Sequence, residues 1–344
     1  MIRFENDYAE GAHQQILNRL IETNMEQTTG YGTDAYCESA RCYIRKACQA
    51  KQADVHFLVG GTQTNTTIIA SILRAHQGVI SATTGHIATM ETGAIEATGH
   101  KILTVPSENG KLTASQVKEL CDAHWNTPAC VHQVQPGLVY ISHPTENGTT
   151  YTKSELVELS QVCQQFNLPL MMDGARLGYG LTAPGNDLFL PDIARLCDVF
   201  YIGGTKIGAL FGEAVVITND NLKKDFRYLI KQRGGLLAKG RLLGIQFETL
   251  FKDKLYEEIS TYAVELAVSI REAFIQKGFE LRYDSQTNQQ FPILPQEVLE
   301  KLSKSYSFTF WEKLDSTHTV VRICTSWATK MEHVDQLIAD INNL

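Results

Sequence analysis

Val55-His56-Phe57-Leu58-Val59-Gly60-Gly61-Thr62-Gln63-Thr64-Asn65 reads as a strand that runs through two glycines into a helix over 66–73. The same rhythm recurs outward from it. From about residue 55 to 217 short apolar runs alternate with helical patterns, and most runs end in Gly, Asp or a small polar residue, which describes an α/β fold. Seven strands are expected, at 55–59, 79–82, 101–105, 138–142, 168–172, 199–202 and 214–218. Their nearly continuous apolar character suits a mostly parallel sheet covered on both faces. Leu156, Leu159, Cys163 and Phe166 recur at helical spacing and set one helix face against that sheet.

After Gly244 the pattern changes. Ile259, Ala263, Leu266, Ile270 and Phe274 mark a long amphipathic helix, followed by two strand-like runs and a closing helix through Val334, Leu337, Ile338 and Ile341. The expected division is an N-terminal arm over 1–35, a large domain over 36–245 and a smaller C-terminal α+β domain over 246–344. The arm holds one helix, 16–25, and a Gly30-Tyr31-Gly32 segment, and needs another surface to lean on. Residues 281–291 read as a polar loop.

Lysine and arginine total 31 against 38 acidic residues, a net charge of −7 without a basic run, which excludes the electrostatic footprint of a nucleic-acid binder. No stretch approaches the roughly 20 apolar residues of a membrane-spanning helix, and Met1 to Asp7 contains no apolar targeting core, so a cytoplasmic protein with no membrane partner is expected. The eight cysteines include no Cys-x-x-Cys pair, so neither a disulfide framework nor a metal site is expected. Cys37 and Cys48 share a helical apolar stripe with Ala40 and Ile44 and read as small core residues.

Three local signals carry chemistry. Gly60-Gly61-Thr62 is either a phosphate cradle at a helix N-terminus or a plain turn with Thr62 as the cap. Asp173-Gly174-Ala175-Arg176 puts an acid at the carboxyl end of a buried strand, where α/β sheets bind ligands, although Asp-Gly is also an ordinary turn. Gly203-Gly204-Thr205-Lys206 follows another apolar strand; partial burial of that lysine would lower its pKa and make it a better nucleophile. Taken together they supply a phosphate cradle, a carboxylate and an amine along one sheet edge. Those are the requirements of pyridoxal 5′-phosphate. His86, just past a strand, either is placed to stack on its ring or is a structural histidine.

Gly61-Thr62-Gln63-Thr64-Asn65, His86 with Glu91, Asp173-Gly174-Ala175-Arg176 and Thr205-Lys206 resemble the motifs of low-specificity L-threonine aldolases. These belong to the β-eliminating lyase group of pyridoxal-phosphate enzymes with the aspartate-aminotransferase fold. The resemblance implies that Lys206 carries the cofactor as an aldimine, His86 stacks on the ring, Asp173 pairs with the pyridine nitrogen and Arg176 hydrogen-bonds near the ring oxygen. It implies that Gly61, Thr62 and Thr205 hold the phosphate, and that Arg322, helped by Asn6, binds the substrate α-carboxylate. The implied enzyme is a lyase, a homodimer or homotetramer. It would cleave L-threonine or L-allo-threonine to glycine and an aldehyde. The alternative with the same cofactor is β-elimination from a β-substituted amino acid. A non-catalytic binding protein on this fold would have lost Lys206 or Asp173, and both are present. One departure stands out: where many members carry Asn-Thr-His-Asn, this chain has Pro144-Thr145-Glu146-Asn147, with His143 displaced upstream.

Overall fold

The computed structural model describes residues 1–344. Its first eight strands are β1 (Ile2–Arg3), β2 (Asp54–Leu58), β3 (Gln77–Ala82), β4 (Lys101–Val105), β5 (Gln135–Ser142), β6 (Leu170–Asp173), β7 (Val199–Gly203) and β8 (Glu213–Ile217). Strands β2 to β8 form one seven-stranded sheet in the order β2-β8-β7-β6-β5-β3-β4. Neighbours are parallel except at β8, which runs against both β2 and β7. The expected mostly parallel α/β sheet is therefore present, with every strand end within three residues of its expected place.

Alternation along each strand gives the sheet two apolar faces. Val55, Phe57, Ile80, Ile141 and Phe200 pack with Ile44, Leu156, Leu159 and Phe247 on one side. Leu58, Val79, Tyr140, Val199 and Tyr201 pack with Ile68, Ile69 and Phe226 on the other. The helix Lys153–Gln165 opens with a reciprocal cap between Thr152 and Glu155 and buries Leu156, Leu159 and Cys163, as its spacing predicts. Cys37, Ala40, Ile44 and Cys48 are likewise buried on and beside the helix Ala35–Ala47. The helix Arg241–Lys252 lies so close to it that a Cβ on Gly244 would fall 2.5 Å from the Cys37 amide nitrogen. That helix runs unbroken through positions 245 and 246.

The C-terminal region adds β9 (Gln289–Gln290), β10 (Ile293–Pro295), β11 (Tyr306–Ser307), β12 (Thr309–Lys313) and β13 (His318–Cys324). β13 is central, with β10 and β12 on either side and β9 continuing along it. The helices Leu255–Gln276 and Met331–Asn342 close a third core through Leu266, Ile270, Phe274, Val334, Leu337 and Ile341. The arm leans on this region: β1 pairs with β11, Phe4 is fully buried, and the Cys324 amide donates to the Phe4 carbonyl at 2.8 Å.

Residues 281–291 keep their expected loop-like character but not at the surface. They are polar and mostly irregular, yet Ser285, Thr287, Asn288, Gln289 and Gln290 are completely buried. Polarity predicts exposure only where internal partners are missing. Here the Asn288 side chain donates to Asp7 Oδ2 and to the Thr325 carbonyl, both at 2.9 Å. All eight cysteines are free, and no helix is long and apolar enough to cross a membrane.

Topology sets up the site. The carboxyl ends of the parallel strands β2, β5, β6 and β7 converge on one sheet edge, and the reversed β8 brings its first residue, Glu213, to the same edge opposite Leu58 and Gly203.

Candidate active site

A cleft with ≈ 740 Å³ of empty space opens at this edge and is lined by Gly61, Thr62, His86, Asp173, Arg176 and Lys206, among others. Those six residues come from three strand ends and a helix start, which explains why their sequence separation hides their proximity. Two glycines permit the geometry. A Cβ on Gly174 would sit 1.9 Å from the Tyr201 carbonyl oxygen, and one on Gly203 would sit 2.3 Å from the Ala175 carbonyl oxygen. Only glycine lets the chains leaving β6 and β7 run so close together.

The helix of the cradle starts at Gly61, with Gly60 as an N-cap that makes no side-chain hydrogen bond. Of the two readings of this turn, the one with Thr62 as the cap is set aside, since Thr62 lies within the first turn, and the helix begins five residues before the expected 66. An N-terminus without a side-chain cap keeps its first amides available to an anion.

Asp173 closes β6. Its Oδ2 accepts the Tyr140 hydroxyl at 2.6 Å and the Asn65 amide at 3.2 Å, and its Oδ1 accepts the Ala175 amide at 2.9 Å. Burial pushes its pKa up, but the neighbouring His86 and the hydrogen bonds from Tyr140 and Ala175 outweigh burial and hold it below the usual aspartate value. The carboxylate is thereby kept ionised. Asn65 also donates to Glu91 Oε1 at 2.7 Å, and that oxygen meets His86 Nδ1 at 2.8 Å. The fully buried Glu91 carboxylate therefore orients the imidazole and leaves Nε2 as its free nitrogen.

Lys206 sits in the turn after β7, and its carbonyl accepts the Tyr179 hydroxyl at 2.6 Å. Burial, then the Arg176 charge, lower its pKa against the opposing pull of Asp7, Asp173 and Glu213. A larger share of neutral, nucleophilic amine follows. Arg176 is held by a partner the sequence did not disclose: its Nε and Nη2 donate to Asp7 at 2.6 and 2.9 Å. Asp7 is completely buried, and although burial pushes its pKa up, Arg176 and Lys206 bring it down to about 2.

The Thr205 hydroxyl donates to Glu213 Oε1 at 2.9 Å and accepts the Gly212 amide at 3.0 Å. Glu146 reaches the cleft from the loop after β5. Its Oε1 accepts the His86 amide and the Ser142 hydroxyl, its Oε2 has no partner, and burial raises its pKa. His143 is enclosed against Tyr151, and burial brings its pKa down to about 4, so it stays neutral.

Asn6 and Arg322 are not among the residues lining this cleft. The Asn6 side chain accepts the Tyr8 amide. Arg322, on β13, donates to the Glu5 carbonyl at 3.1 Å and to Gln289 Oε1 at 3.4 Å over the face of Trp311, with its buried Nε unpartnered. Sequence reading missed Asp7, Tyr140, Tyr201 and Glu213. A charge opening the apolar run of β8 was the one local signal for Glu213, and Tyr140 precedes Ser142 by the two residues that put both on one sheet face.

The cleft fits pyridoxal phosphate. A nucleophilic amine, an ionised carboxylate and an N-terminus without a side-chain cap converge on it, and the buried polar atoms Tyr201 Oη, Glu146 Oε2 and Glu213 Oε2 have no partner within the chain. Fold and site together define a pyridoxal-phosphate-dependent enzyme built like the aspartate aminotransferases. A Thermus thermophilus aspartate aminotransferase superposes with a TM-score of 0.73 over 100% of this chain and 91% of its own, at 12% identity. Residues 7–306 match the family described as Beta-eliminating lyase, and the chain belongs to that family of lyases. It is 30% identical to a low specificity L-threonine aldolase of Pseudomonas sp. (strain NCIMB 10558) over 98% of this chain and 96% of the relative. The solved threonine aldolase of Leishmania major is 44% identical, with a TM-score of 0.97 over 100% of this chain and 99% of that one.

Proposed function

We propose that this lyase cleaves L-threonine and L-allo-threonine to glycine and acetaldehyde. The observation that carries the reading is the meeting of Lys206, Asp173 and the Glu91-oriented His86 in one cleft, on a chain that matches the Leishmania major threonine aldolase from end to end. When bound, pyridoxal phosphate supplies the electron sink for the pair released from the Cα–Cβ bond. Lys206 holds the cofactor through its amine. Asp173, ionised and fixed by Tyr140 and Ala175, holds the proton of the ring nitrogen, while the first turn of the Gly61–Ile72 helix receives the phosphate. His86 takes the β-hydroxyl proton at Nε2, because Glu91 occupies Nδ1. Arg322 lies outside the residues lining the cleft, and its buried, unpartnered Nε is the donor left to bind the α-carboxylate and so set the angle of the breaking bond.

Product analysis by NMR after mixing the cofactor-loaded protein with L-allo-threonine tests this. Glycine with acetaldehyde supports the aldolase, whereas 2-oxobutyrate would assign β-elimination. Lys206→Ala is expected to abolish turnover with the circular dichroism spectrum intact; full activity in that variant would end the proposal. The same reading makes the enzyme cytoplasmic and a homodimer or homotetramer. A monomer by light scattering would count against that assembly.

A further inference from the structure

Glu213 is an acid at the place where the cofactor brings negative charge. It is 3% exposed, and its backbone pairs with Leu58 on one side and Gly203 on the other. It therefore stands between the Gly60–Thr62 turn that follows β2 and the Gly204–Lys206 turn that follows β7. Its Oε1 accepts the Thr205 hydroxyl, while its Oε2 is buried without a partner. The equally unpartnered Tyr201 hydroxyl lies 3.4 Å from where a Cβ on Gly61 would stand, so phenol and helix N-terminus border one space. The lysine and arginine lining the cleft are both committed, Lys206 to the cofactor and Arg176 to Asp7. An ionised Glu213 beside a phosphate dianion would thus have no free lysine or arginine among the residues lining the cleft to offset it.

We propose that in the loaded protein Glu213 is a neutral carboxylic acid whose Oε2–H donates to a phosphate oxygen of the cofactor while Oε1 keeps the Thr205 hydroxyl. This rests on the cofactor reading above. A protonated carboxyl offers one donor and one acceptor side, which matches the split seen here, and a carboxylate offers acceptors only. Above about pH 8, where the free carboxyl is mostly ionised, the proton comes from solvent as the phosphate binds and returns to it on release. Burial first, and the Asp173 charge as well, push the pKa of Glu213 up to about 8 against the Thr205 hydrogen bond and the Lys206 charge. Like charge arriving with the phosphate pushes it further in the same direction. The titratable groups facing it are Lys206 from its turn, Asp173 from β6, Tyr201 from β7 and Tyr256 from the long helix Leu255–Gln276.

Pyridoxine 5′-phosphate carries the ring and phosphate but no aldehyde for Lys206, so its binding isolates this contact. It is titrated into the cofactor-free full chain by calorimetry, in buffers of different ionisation heat, from about pH 7 to about pH 9.5. The expected result is a proton taken up by the wild type that Glu213→Gln does not take up. Between about pH 8 and about pH 9.5, the wild type's affinity should fall about tenfold more than that of the variant. Glutamine keeps the shape and an N–H donor, so the two should bind comparably at pH 7. Equal proton uptake and equal pH slopes would overturn the proposal. Should the variant not fold, the phosphorus-31 shift of the wild-type complex takes its place: a titration step above about pH 8 supports the proposal and a flat profile overturns it. If neither protein binds the ester while both keep native circular dichroism, the cofactor reading itself falls.

Discussion

Asp7→Asn removes the charge that joins the N-terminal arm to the catalytic edge. In the native protein Asp7 accepts two hydrogen bonds from Arg176 and one from Asn288, with no exposed surface. An asparagine there turns an amide donor toward at least one of these donors and leaves the Arg176 charge buried without its partner. Breaking a buried pair in this way costs about 3–5 kcal/mol. A second route gives a lower figure. The drop of the Asp7 pKa from 3.8 to about 2, at about 1.4 kcal/mol per tenfold change in acidity, is worth roughly 2 kcal/mol. The first value governs the substitution, since it includes the stranded guanidinium. At about 2.1 cal/mol/K of unfolding entropy per residue, a chain of 344 residues should lose about 4–7 °C in Tm. Calorimetry of the cofactor-free variant and wild type at one protein concentration reads this directly. The pH dependence supplies the sign. A depressed carboxylate pKa stabilises fully above 3.8 and is lost as pH falls through about 2, so the gap between wild type and variant should shrink by roughly 1 kcal/mol from about pH 5 to about pH 3. A Tm within 1 °C of wild type, or a gap that does not narrow on acidification, would refute the reasoning.

Three more outcomes are expected. Glu91→Gln keeps the shape beside His86 but exchanges a charge-assisted hydrogen bond for a neutral one, so kcat should fall about fivefold to tenfold with the fold intact; steady-state rates equal to wild type would dismiss the orienting role. Arg322→Lys retains the charge and loses the planar fork, and the KM for the amino acid should rise about tenfold or more, with kcat less affected; an unchanged KM would place the carboxylate elsewhere. Gly174→Ala puts a methyl 1.9 Å from the Tyr201 carbonyl and should cost about 3 kcal/mol or more, read as a lowered urea midpoint, because strands β6 and β7 must part to admit it.

The strands and the chemical landmarks were legible because each is a local pattern. Nearly continuous apolar runs ending in glycine or aspartate mark β2, β6 and β7, and the residues at or just past their ends, Gly61, Asp173 and Lys206, inherit a common edge from the topology of any mostly parallel sheet. The helix stripe of Cys37, Ala40 and Ile44 was legible for the same reason. The partners of these landmarks were not. Arg176 meets Asp7 across 169 positions and Asn65 meets Asp173 across 108, and no periodicity reports such separations. The burial of Ser285 and Thr287–Gln290 was not legible either, because a polar loop gives no sign that its hydrogen bonds are made inside the protein.

That an amine, a carboxylate and a glycine-rich helix start lie at one sheet edge was thus determined by the sequence alone, since residue type and the order of the apolar runs suffice to put them there. Their state of charge was decided only by tertiary structure. Burial raises Glu213 and lowers Lys206, while Tyr140 and Ala175 keep Asp173 ionised. A pKa depends on the solvent excluded and the charges brought near, and both exist only once distant segments have packed together.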